Sequence, residues 1–93
     1  MFVEEKGSQM PDTTAKRVDR VQTGVRIEKR LLKVLKALAA HKEITLSNLL
    51  EGMILHSLEN RPAFSEDTLE FIEAMRVSFK LDISPEDSHS LQE

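Results

Sequence analysis

One short run constrains this chain more than any other feature. Val21-Gln22-Thr23-Gly24-Val25-Arg26-Ile27 alternates β-branched residues with polar or small ones. Val21, Thr23, Val25 and Ile27 share one face, and Gln22, Gly24 and Arg26 the other, which is the period of a half-buried β-strand. No second run of this period occurs, and no turn followed by a strand comes after Ile27. A lone strand leaves backbone N–H and C=O groups unpaired on both edges. The economical solution is the same strand of a second copy, giving an antiparallel two-stranded ribbon between chains.

The other apolar residues follow a helical period. Leu31, Leu32, Val34, Leu35, Leu38 and Ala39 recur at three and four, with Arg30, Lys33, Lys36 and His41 opposite, which predicts an amphipathic helix over about 28–41. Thr45 is the better N-cap for a second helix, because Leu46, Leu49, Leu50, Met53, Ile54 and Leu58 run on from it. That helix should reach about Glu59 and stop at Asn60-Arg61-Pro62. Gly52 in its middle is expected to let another backbone come close, the alternative being a merely tolerated residue. A third helix is expected from an N-cap at Ser65 to about Lys80, with Glu66, Asp67 and Glu70 in its first turn. Asp82 to Glu93 reads as a frayed tail.

The chain is therefore expected to be mostly α. One strand and two helices pair into an obligate homodimer with an intermolecular ribbon, and a C-terminal helix is added. With 93 residues there is room for one small domain, and sharing a core between two chains enlarges what one could build alone. Residues 1–15 read as a flexible arm, 16–60 as the paired domain, and 61–93 as an acidic helix and tail.

Charge divides the chain in the same way. Residues 16–42 carry nine Lys and Arg against Asp19 and Glu28, whereas residues 43–93 carry three basic residues against eleven acids. A concentrated basic segment is the electrostatic footprint of a phosphate-backbone binder. A two-stranded ribbon fits the major groove of B-DNA, so Gln22 and Arg26 become base-reading candidates and Gly24 lets the ribbon approach the groove floor. The start of the second helix offers the N–H groups of Leu46, Ser47 and Asn48 to a phosphate, assisted by Lys42 and the Thr45 and Ser47 hydroxyls. Lys16, Arg17 and Arg20 would contact the backbone as a basic lead-in.

Residues 20–59 resemble the ribbon-helix-helix (Arc/MetJ-like) DNA-binding family, on the order strand, helix, capped helix and on the alternation in Gln22-Thr23-Gly24-Val25-Arg26-Ile27. The resemblance implies a homodimeric repressor-like fold, with the strand in the major groove and the start of the second helix on phosphates. Two positions depart from the family pattern. Gly24 stands where the family usually has a base-reading side chain. His41-Lys42-Glu43-Ile44 replaces the usual glycine near the helix–helix loop, so another residue must take any left-handed conformation there.

Other function classes fall away. The chain has no Cys and three Gly, so a disulfide framework, a thiolate metal site and a phosphate-cradling Gly-rich loop are all excluded. His41, His56 and His89 are scattered, and no Ser/His/Asp order or acid pair suggests catalysis. No metal, cofactor or enzymatic activity is expected. No apolar run approaches the roughly 18–20 residues needed to cross a bilayer, and Met1–Ser8 carries no secretory apolar stretch, so a cytoplasmic protein without membrane contact is expected. The expected function is sequence-specific double-stranded DNA binding as a homodimeric transcriptional regulator. The alternative is an antitoxin whose acidic residues 61–93 bind and neutralise a toxin.

Overall fold

The computed structural model describes residues 16–93. The arm expected over 1–15 lies outside them. Three helices follow in order, α1 (Lys29–Lys42), α2 (Leu46–Leu58) and α3 (Glu66–Ser78), with a single 3₁₀ turn at Pro85–Asp87.

The N-caps expected at Thr45 and Ser65 both form, and Glu28, expected as the first residue of its helix, adds a third. Glu28 caps α1, its carboxylate accepting from the Leu31 N–H at 2.9 Å. Thr45 and Ser65 cap α2 and α3 through their hydroxyls, on the N–H groups of Asn48 and Thr68. Each cap satisfies one of the donors a helix start leaves unpaired.

All three helices end in one motif, built without glycine. Glu43, Asn60 and Lys80 take left-handed backbone, with φ of 59°, 57° and 57°. After α1, the Glu43 N–H donates to the Ala40 carbonyl and the Ile44 N–H to that of Ala39. The same pair of bonds recurs around Asn60 and around Lys80, which makes each end a Schellman motif. Glu43 is thus the residue that takes the left-handed conformation in the α1–α2 loop. Gly52 makes no close approach, because a Cβ added there would meet nothing within 4 Å. It is a tolerated mid-helix glycine.

The core forms around α1, which packs against both α2 and α3. Leu35, Leu38 and Ala39 of α1 meet Leu49 of α2, and Phe71 and Ile72 of α3 pack onto this cluster. Leu38 is the most deeply buried side chain. The His41 ring stacks on Phe71 with centroids 3.9 Å apart.

The fold differs from the expected ribbon-and-helices class. Among the described residues there is no strand, and residues 16–28 belong to no helix or strand. The arrangement is three helices, not a ribbon with helices. The face expected to be buried is open: Val21 is 86% exposed and Val25 73%. The reason is physical. A strand exists only through hydrogen bonds to a neighbour, and period two creates the need for one without supplying it. The core seen among the described residues is built from α1, α2 and α3 of one chain. The expectation of a frayed tail also fails. Segment 82–93 contains the 3₁₀ turn, fixed by a capping box in which the Ser84 N–H donates to Asp87 at 2.9 Å.

Candidate nucleic-acid interface

The phosphate-binding candidates divide into two groups. Arg20 lies in the irregular segment before α1, yet its guanidinium reaches the first turns of α2. Its Nε and Nη2 donate to the two carboxylate oxygens of Glu51, at 2.8 and 3.0 Å. This two-pronged pairing anchors the segment to α2 across 31 positions of sequence. It raises the Arg20 pKa and lowers that of Glu51, in both cases chiefly through the hydrogen bonds themselves, with charge attraction helping and the loss of water around Glu51 opposing. Arg20, Thr45, Ser47 and Asn48 thereby line one groove, together with Glu43, Ile44 and Glu51. Lys16, Arg17 and Lys42 are exposed and stand outside its lining.

The α2 start is narrower than its sequence suggests. The Asn48 N–H is committed to Thr45 Oγ1 at 3.0 Å. The N–H groups of Leu46 and Ser47 have no acceptor within the helix, because nothing precedes them by four residues of helical chain. The Thr45 and Ser47 hydroxyls add donors at the same edge. An anion arriving here meets the Ser47 N–H, two hydroxyls and the Arg20 guanidinium, which Glu51 already holds, and it also meets the Glu43 carboxylate; Leu46 stands outside the lining.

The base-reading candidates are not gathered into this groove. Gln22 and Gly24 are exposed, and Gly24 has open space around its Cα. Arg26 is exposed, and its Nη2 donates to Glu93 at 2.7 Å. Arg30, on the basic face of α1, is held within the protein. It donates to Glu28, to the Lys80 carbonyl and to Asp82.

Sequence reasoning missed both acidic partners. Glu51 had a usable signal, because it follows Ser47 by four residues and so shares its helix face. Glu93 had none, since it meets Arg26 across 67 positions.

Among the described residues, no group of three or more His, Asp or Glu is placed to hold a metal ion, and no helix is long and apolar enough to cross a membrane. Comparison of the chain with protein-family models, curated proteins and solved structures finds no match.

Proposed function

We propose that this chain is a homodimeric regulator of transcription that binds double-stranded DNA. The observation that carries the reading is the junction of Arg20 with the start of α2. A basic segment is joined there to a helix N-terminus in one groove, and both are phosphate-binding devices. A DNA phosphate in this groove takes the place of the Glu51 carboxylate on Arg20, oxygen for oxygen, since the guanidinium fork fits both groups. Gln22 and Arg26, exposed on the same segment, are the residues in reach of base edges. Such a ligand implies a cytoplasmic protein.

Dimerisation is supported by α2. Ile54, Leu55 and Leu58 stand exposed along it, Leu58 by 77%. Apolar side chains clustered on one helix half mark a surface for a partner, and a two-fold dimer would read a palindromic operator. The toxin-binding alternative has less support, because Phe71 and Ile72 of α3 are used in packing on α1.

The test is duplex binding across a salt series. With about 6 phosphates neutralised, log K falls against log salt with a slope near −5. Arg20→Ala should weaken all sequences about equally, as a backbone contact carries no base information. Absence of duplex binding at low salt, or a flat salt dependence, overturns the reading.

A further inference from the structure

We propose that segment 82–93 is a built-in competitor of DNA for Arg26, so that the chain restrains its own base-reading residue. The proposal rests on the DNA-binding reading above.

The segment carries Asp82, Glu86, Asp87 and Glu93 with no Lys or Arg, and it pairs with Arg26 and Arg30 of the basic stretch 16–42. It is fastened at its root. Arg30 Nη1 donates to the Lys80 carbonyl at 2.8 Å and to Asp82 at 2.9 Å, and Arg76 Nη2 donates to the Ile83 carbonyl at 3.2 Å. The 3₁₀ turn at Pro85–Asp87 then reverses it. Beyond the turn, Leu91 and Ile83 line a cleft of about 450 Å³ with Ile27 and Leu31, at the entry to α1. Glu93 completes the return by placing its carboxylate 2.7 Å from Arg26 Nη2.

The contact competes with the chemistry assigned to Arg26. Reading a guanine edge requires the guanidinium to present two N–H groups to O6 and N7. A carboxylate on Nη2 takes one arm of that fork with an acceptor of the same kind. The pair is open to solvent, with Arg26 83% and Glu93 74% exposed, so water and salt weaken it. It therefore acts as a modest brake that DNA can displace, and it raises the demand on the sequence contacted.

The test compares affinities of the full chain for one duplex, taken from selection on a random pool, at low salt. Glu93→Gln should tighten binding by about two- to five-fold, the range of an exposed ion pair. Glu86→Gln removes the same charge from the same segment but touches Ser84, not Arg26, and should leave affinity unchanged. In an Arg26→Ala background, Glu93→Gln should give no gain. Wild-type affinity in Glu93→Gln overturns the proposal, and if Arg20→Ala still weakens binding, the DNA reading stands without it. An equal gain from Glu86→Gln, or a gain that survives Arg26→Ala, assigns the effect to overall charge and also overturns it. Failure of every variant and of the wild type to bind duplex removes the DNA reading and this proposal together.

Discussion

α1 and α2 are nearly equal in length, yet they meet water in opposite ways. α1 spans 14 residues and buries Val34, Leu35, Leu38 and Ala39; α2 spans 13 and buries only Leu49. α2 is nevertheless the more apolar of the two by sequence. The difference lies in arrangement. The apolar residues of α1 form a stripe with Lys33 and Lys36 on the other side, and one chain can cover a stripe. Those of α2 surround the helix, and one neighbouring helix covers only part of them. The amount of hydrophobic surface therefore does not measure how much is buried, and the surplus on α2 stays exposed at Ile54, Leu55 and Leu58.

The largest expected effect is at the centre of the buried stripe. Leu38→Ala should cost about 2–5 kcal/mol, because it removes a fully buried side chain and leaves a cavity. In a domain this small, chemical denaturation should register that as loss of most of the folded state. Leu58→Ala on α2 should shift the unfolding of dilute protein by less than about 0.5 kcal/mol while weakening self-association in sedimentation equilibrium. A loss at Leu58 as large as that at Leu38 in dilute protein would break the comparison, since α2 would then be covered within the chain.

The helix ends sharpen the contrast. α1 ends on a left-handed Glu43 and α2 on a left-handed Asn60. Asn tolerates this conformation better than Glu does. Glu43→Gly should raise the melting free energy by about 0.5–1 kcal/mol, and Asn60→Gly should leave it nearly unchanged. Calorimetry of the two variants side by side separates them.

The smallest effect concerns pH. α1 is capped by a carboxylate and α2 by a hydroxyl, so only the start of α1 titrates with acid. The Leu31 N–H, with help from Arg30, holds the Glu28 pKa below its ordinary value against the opposing effect of partial burial. A carboxyl lowered in the folded state stabilises it fully above the ordinary value of about 4.3. That contribution is lost as pH falls through the lowered value. Glu28→Gln should therefore lose less stability than wild type between neutral pH and pH values below about 4, in acid unfolding followed by circular dichroism. Equal acid sensitivity in the two proteins would show that this cap is not what titrates. Some acid dependence should remain in the variant, because the Glu51 and Glu86 pKa values are lowered too, by Arg20 and by Ser84.

The local rules were legible residue by residue. Thr45 and Ser65 announce helix starts through their hydroxyls, the three-and-four spacing from Leu31 to Ala39 announces α1, and Asn60-Arg61-Pro62 announces a stop. A cap or a helical stripe is set by residues within about four positions of each other, so the sequence contains all its terms. Arg20 and the α2 start were both readable as phosphate-binding candidates, each from its own neighbourhood.

Tertiary structure decided what those elements do to one another. Alternation over Val21–Ile27 states a preference for a partner strand, but the described chain contains none, and the segment lies instead against α2 through Arg20 and Glu51. Arg26 looks like an open reading residue until Glu93 is found beside it. Helix spacing shows which residues share a face, whereas only the packed chain shows what covers that face. Such contacts join positions 31 or 67 residues apart, and loop closure lets many pairings of that reach compete at similar entropic cost. Shape and charge in the assembled molecule then choose among them.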